Sequence, residues 1–216
     1  MEHSDKIKRD IWVVIRKLGL SPWFLRWYPK SFLRNAGWFR SYSEWRPVTK
    51  SGEPLPWLNY SCIYLLEQRV NKNMKIFEFG AGYSTLWFSK KVKDVVSVEH
   101  NPKWAKLISN KLPANGKIIL VENEKEYPME ILKHGKFNII IVDGILRNEC
   151  LKISTNALEE DGIILLDNAE RTEYFQAKNN LIKQGYKELP FIGLSPAELN
   201  IIQTSIFYKD GNCLGI

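Results

Sequence analysis

The chain has 216 residues, 44% of them hydrophobic and 12% aromatic. That is enough for a proper core, argues against disorder of the whole chain, and fits one domain with an extension better than two full domains. The formal net charge of +7 sits entirely in residues 1–50, where 11 Lys or Arg face 4 Asp or Glu; the rest of the chain is neutral.

Three cysteines, Cys62, Cys150 and Cys213, are far apart and odd in number. The expectation is reduced thiols in a cytoplasmic protein, with no cluster at zinc-ligand spacing. No apolar run approaches the roughly 18 residues of a membrane span. The segment "IWVVI" is cut off by Arg16 and Lys17, too early for the core of a signal peptide.

Residues 1–59 form a basic, Trp-rich helical extension or cap in this reading. They hold six of the eight tryptophans, interleaved with Arg and Lys. Ile7, Ile11, Val14 and Leu18 fall at helical spacing, so residues 5–19 read as a basic amphipathic helix ending at Gly19. "SPWFLRWYPKSFLRNAGWFRS" reads as one or two short helices opened by Ser21-Pro22 and by Ser31. "RPVTKSGEPLPW" is a loop by its Pro and Gly content, and "LNYSCIYLLEQRV" a helix leading into the domain of residues 60–216.

From Met74 onward strand and helix patterns alternate. Strands are expected at 75–79, 94–99, 117–121, 137–142 and 162–167, each followed by a helix except the third. Such alternation predicts an α/β fold, a Rossmann-like, doubly wound, mostly parallel sheet. "GYKELPFIGL" and "IIQTSIFYKD" have no helix between them and read as a hairpin-type pair closing one edge, which brings in an antiparallel strand.

Ligands of open α/β sheets bind beyond the carboxyl ends of the strands, so the residues that follow each strand matter most. After the first come Gly80, Ala81 and Gly82, a turn that brings backbone N–H groups up to a ligand. After the second comes Glu99, placed to accept ribose hydroxyls, and after the third Glu122 and Asn123, placed to meet a base edge. The fourth ends in Asp143 and the fifth in Asp167-Asn168. Thr85 fills the third position of the dinucleotide fingerprint, where Gly or Ala belongs, which counts against NAD.

"FEFGAGYSTLWFS" followed by "VVSVEHNPKW" resembles the first two motifs of class I S-adenosylmethionine-dependent methyltransferases, an E/D-x-G-x-G turn and an acid ending the second strand. The resemblance spans roughly residues 60–210, closing strand pair included. It implies S-adenosylmethionine as cofactor, with Glu78, Gly80 and Gly82 at its methionine end, joined by Ser84. By the same resemblance Glu99 takes the ribose and Glu122 or Asn123 approaches the adenine, while His100 and Asp143 lie beside the cofactor.

"IIIVDG" followed by "GIILLDN" also resembles the Asp…Asp-Asn set that seats a divalent cation in catechol-type and macrocin-type sugar O-methyltransferases. It implies Asp143, Asp167 and Asn168 as ligands of Mg²⁺, which would lower the pKa of an acceptor hydroxyl. This chain departs from the catechol-type pattern by having Leu146 where those enzymes carry a lysine. Arg147 follows, but it stays protonated and is a poor base. The alternative is that Asp143 and Asp167 cap helices and orient loops. Asp143, Arg147 and His100 are the catalytic candidates. Glu170, Arg171 and Tyr174 are expected on the rim where an acceptor docks, or else form a charged helix start capped by Asn168.

The expectation is therefore S-adenosylmethionine-dependent O-methylation of a sugar, a glycolipid or another small hydroxyl acceptor. The rivals are an NAD-dependent oxidoreductase and a non-catalytic membrane- or partner-binding module. Arg, Lys and Trp in residues 1–59 suit a peripheral contact at the inner membrane face, or a lid or dimer element packed on the core. Nucleic acid is not expected, because the neutral domain offers no basic groove.

Overall fold

A computed structural model describes residues 11, 13–14, 17–18 and 26–216. The helix expected over 5–19 and the helix start at Ser21-Pro22 fall mostly outside those residues. Seven strands form one sheet: β1 (Lys75–Phe79), β2 (Asp94–Glu99), β3 (Gly116–Leu120), β4 (Phe137–Val142), β5 (Leu158–Leu166), β6 (Lys187–Gly193) and β7 (Ile202–Tyr208). Their order is β3-β2-β1-β4-β5-β7-β6. The first five pair in parallel, and β7 runs antiparallel to both β5 and β6. This is the expected Rossmann-like sheet with its single reversed strand.

Successive side chains of a strand point to opposite faces, and the two faces carry separate cores. Phe77, Phe79, Ile140, Val142, Ile164, Leu166 and Phe207 face one side, where Tyr127, Ile131, Cys150, Leu151 and Leu181 cover them. Ile76, Val95, Ile139, Ile141, Ile163, Leu165 and Ile206 face the other, under Leu55, Leu58, Leu66, Trp87 and Phe88. Helices α1 (Phe32–Asn35), α2 (Trp38–Glu44), α3 (Tyr60–Arg69), α4 (Tyr83–Ser89), α5 (Pro102–Ser109), α6 (Arg147–Ser154) and α7 (Phe175–Lys183) flank the sheet. Ser31 caps α1 as expected, through its hydroxyl to the Arg34 N–H, and Asn59 caps α3 through the Ser61 N–H.

Two strands, β3 and β5, differ from expectation in their limits, and both end one residue early, at Leu120 and Leu166. β3 starts one residue early, at Gly116, which pairs with Val95. β5 starts at Leu158 rather than 162, because Leu158 pairs with Phe137 before a register shift. The charged run Glu159–Asp161 hides that start from a reading of hydrophobicity; at the sheet's rim its side chains reach water. No helix is expected after β3, whereas a short 3-10 helix, Pro128–Lys133, follows it.

The cysteines are free thiols. Burial pushes the Cys213 thiol up to about 12 and those of Cys62 and Cys150 higher still. Among the described residues no helix is long and apolar enough to cross a membrane.

Candidate functional site

Strand order reverses at β1, which pairs with β2 on one side and β4 on the other. The crevice of such a sheet opens there, beyond the carboxyl ends. A cavity of about 440 Å³ lies at this point, lined by Gly80, Ala81 and Ser84, by Glu99, His100 and Asn101, and by Asp143 and Gly144. Gly80, Ser84, Glu99, His100 and Asp143 are thus brought together.

Gly80 and Gly82 serve different needs. Gly80 holds φ +99, and a Cβ there would come within 3.0 Å of the Gly144 backbone. The fold itself demands glycine. Gly82 is extended (φ −174), and a Cβ on it would meet only Ser84 Oγ, at 3.9 Å. Nothing in the protein requires glycine at 82; a ligand lying along the turn would.

Glu99 is 4% exposed and accepts three backbone N–H groups. Oε1 accepts from His100 (2.9 Å) and Asn101 (2.8 Å), and Oε2 accepts from Ala81 (3.1 Å). The acid therefore ties the end of β2 to the glycine turn. His100 is half exposed, with Nδ1 3.1 Å from Glu99 Oε1.

Glu78 stands elsewhere. It points to the same face as Ile76 and is fully buried. Oε2 accepts from Ser97 Oγ at 2.8 Å, and Oε1 has no partner. It lies beneath the turn and does not line the crevice. Burial pushes its carboxyl up to about 7, against the lowering effect of the nearby hydroxyls of Thr85, Ser84 and Ser97. Glu122 and Asn123 are exposed and do not line the cavity either. Asn123 instead organises its own turn, accepting from the Lys125 N–H and donating to Glu126.

Arg147 links the ends of β4 and β5. Its Nη2 donates to Asp143 Oδ1 (2.9 Å) and Asp143 O (3.2 Å), its Nε to Gly144 O (3.0 Å), and its Nη1 to Asp167 O (2.5 Å) and Asn168 Oδ1 (3.2 Å). Asp167 Oδ1 accepts from Thr204 Oγ1 at 2.8 Å. The expected metal ligands therefore do not fit a divalent cation. The Arg147 guanidinium, only 11% exposed, already holds the Asp143 and Asn168 oxygens that would ligate it. Among the described residues no group of three His, Cys, Asp or Glu could hold a metal ion. Desolvation raises the carboxyl of Asp143, partly offset by Arg147 and Arg171. Asp167 is raised well above its usual value, by burial and then by the nearby charge of Asp143.

Neither helix-capping alternative describes these residues. Asn168 takes φ +52 and accepts from Arg147, while α7 begins only at Phe175. Tyr174 is buried with the Arg147 guanidinium 6.0 Å from its ring, so it is not on the rim. Glu170 and Arg171 are exposed.

A second cavity, of about 210 Å³, adjoins the first through Asp143. Asp167, Asn168, Trp57, Ser195, Glu198 and Ile202 complete its wall. Ser195 is fully buried, and its hydroxyl has no partner.

Several of these residues were not singled out in the sequence. Gly144 is the clearest, since a Cβ there would lie 2.1 Å from the Tyr127 hydroxyl. Its signal was the small residue directly after Asp143. Trp104 donates from Nε1 to Ala81 O at 2.6 Å and walls the crevice; it stands on the first turn after Glu99. Trp57, Ser195 and Glu198 carry no local signal, because only the path of the chain brings those loops to β4 and β5.

No protein-family model matches the sequence, and no curated protein matches it. Solved structures do. Precorrin-6y C5,15-methyltransferase from Geobacter metallireducens GS-15 superposes with a TM-score of 0.58 at 16% identity, over 69% of this chain and 87% of that one. Precorrin 8W decarboxylase from Methanobacterium thermoautotrophicum gives 0.52 at 19%, over 68% and 87%. Spermidine synthase from Thermotoga maritima gives 0.51 at 15%, over 70% and 58%. Likeness at this level establishes the fold. The proteins that share it carry different reactions in their names, so the reaction has to be argued from the site.

Proposed function

We propose that the chain is an S-adenosylmethionine-dependent methyltransferase acting on a hydroxyl of a small acceptor, such as a sugar or glycolipid. One observation carries the reading: the glycine turn and Glu99 line a crevice that meets, at Asp143, a second cavity where Asp167, Asn168, Ser195 and Glu198 stand beside Trp57 and Ile202. A cofactor in the first cavity and an acceptor in the second would face each other across that side chain.

When bound, S-adenosylmethionine supplies a sulfonium-activated methyl group for in-line displacement. The chain's own part is positioning and proton management. Glu99, short of carbonyl-like freedom because its oxygens are fixed by three N–H groups, offers its remaining lone pairs to ribose hydroxyls. Trp104 presents a ring for the adenine side of the crevice. Asp143 is the group placed to take the acceptor proton. Burial makes it more basic than a solvated carboxylate, and Arg147 stabilises it once charged. Arg147 acts as the fixed cation here, so the reading includes no Mg²⁺. Thr85 further disfavours NAD: it is buried under the turn, bonded to Ser97 and to the Gly82 N–H, and leaves no smooth small-residue contact at the helix start.

Calorimetry with S-adenosylhomocysteine tests this directly. Gly82→Val should abolish binding with little change in melting temperature, because a Cβ there meets only Ser84 Oγ, at 3.9 Å. Glu99→Ala should weaken binding by about 1–3 kcal/mol through lost charge-assisted hydrogen bonds. Tight binding of NAD with none of S-adenosylhomocysteine would sink the reading, and binding of neither would favour the non-catalytic module.

The proposal extends to residues 1–59 as a surface-contact element. Trp27, Phe32 and Trp45 are each more than 60% exposed beside basic residues, a combination suited to a lipid headgroup region. Full-length protein should sediment with anionic vesicles at low salt, whereas no such binding would leave the lid.

A further inference from the structure

We propose that residues 26–50 form a binding site for a phosphate group, a phosphomonoester or pyrophosphate. It deepens the surface-contact part of the reading above and needs no methyl transfer, so either can fail without the other. Arg26, Arg34, Arg40 and Lys50 line one cavity of about 240 Å³, with Ser43 and Gly37 in the same wall. Four cations around so small a space repel one another unless an anion joins them.

Ordinary solvated lysines and arginines would splay apart, but two of these are held. Arg34 Nη1 donates to Trp27 O at 3.0 Å, and Arg40 Nη1 donates to Lys50 O at 3.3 Å. The Arg40 guanidinium also lies flat against Gly52, where a Cβ would come within 2.7 Å of Cζ. Backbone geometry fixes the floor: Gly37, at φ +83, packs so closely that a Cβ would sit 2.5 Å from the Lys50 nitrogen. The acid nearest the cluster, Glu44, is already shared between Arg40 and Arg46, so it neutralises only part of the charge. Arg26 and Lys50 have no side-chain partner among the described residues. Guanidinium forks match phosphate oxygens two at a time, which suits a dianionic phosphate better than a lone carboxylate.

The phosphate could come from a lipid headgroup or from a soluble molecule, and the test separates them. Full-length protein is titrated with inorganic pyrophosphate in a calorimeter. It is also sedimented with phosphatidylcholine vesicles containing phosphatidic acid or, at equal charge, phosphatidylserine. Pyrophosphate binding assigns the site to a soluble phosphate; binding to phosphatidic acid vesicles alone assigns it to a lipid. Either upholds the site.

Arg26→Gln with Lys50→Gln should weaken the wild-type interaction roughly tenfold, since each cation near an anionic group adds measurably to binding. Arg34→Gln with Arg40→Gln should do at least as much. Because Arg26 and Lys50 brace nothing, a loss in the first pair is not a folding defect. Lys136→Gln with Lys183→Gln removes the same charge far away and should change affinity less than about twofold. The site is overturned if the wild type binds neither probe at low salt. It is overturned equally if the distant pair loses as much, or if pyrophosphate does not bind and phosphatidylserine and phosphatidic acid vesicles bind alike.

Discussion

Arg147→Met should lower stability by about 3 kcal/mol, because removing one partner of a largely buried ion pair leaves the other charge uncompensated. In a chain of this size that corresponds to a fall of roughly 6–12 °C in melting temperature. Methionine keeps most of the packing volume beside Tyr174, so the change isolates the lost charge and hydrogen bonds. The Asp143 carboxylate would lose its cation, and the carbonyls of Asp143, Gly144 and Asp167 would lose a donor. Thermal unfolding followed by circular dichroism reads the result, and a wild-type midpoint would show that the guanidinium braces nothing. A companion measurement concerns the cation itself. Millimolar Mg²⁺ should leave the wild-type midpoint unchanged, since Arg147 holds the Asp143 and Asn168 oxygens. A clear Mg²⁺-dependent rise would restore the metal reading.

Glu78→Gln should flatten the stability of the protein between pH 5 and pH 8. The Glu78 carboxyl titrates near its ordinary value of 4.5 when unfolded and at about 7 when folded. More protons are then bound by the folded chain across that window, so stability is fullest below the unfolded pKa and falls as pH rises through about 7. The shift corresponds to about 3 kcal/mol, all of it lost by pH 8. Glutamine keeps the size and the bond from Ser97 but cannot ionise. Urea midpoints should therefore diverge: similar at pH 5, with the variant ahead at pH 8. Asp143 and Asp167 are raised too and remain in both proteins, so the difference reports Glu78 together with its interaction with the Asp143 charge. Parallel pH profiles would mean that the carboxylate is relieved by water or by movement of the turn.

Gly80 and Glu99 were legible because their demands are local. A strand must end, a left-handed residue must be glycine, and an acid at the next strand end is a fixed number of residues away. Asp143 was legible for the same reason. The role of Arg147 was not, although it lies four residues past Asp143. Its partners at 167 and 168 are 20 and 21 residues further on, and only the β4–β5 pairing brings them within reach. Glu78 shows the opposite failure. Its place in the motif implied contact with a ligand, yet the two-residue period of β1 turns it to the face of Ile76, beneath the glycine turn. Glu122 and Asn123 follow β3 as expected, but the chain after Leu120 carries them into an exposed turn beyond the cavity wall.

The sequence by itself determined the α/β class, the five parallel strands, the closing antiparallel pair and the position of the glycine turn. Hydrophobic periodicity and glycine geometry act over a few residues and need no tertiary partner. Tertiary structure decided which strand ends meet, and with them the crevice, the second cavity with Trp57, Ser195 and Glu198, and the Arg147 guanidinium at the expected metal position. Those depend on strand order and on loops folded back from distant parts of the chain. Contacts of that range leave no mark in local composition, because any polar residue on any of the loops would read the same until the sheet assembles them.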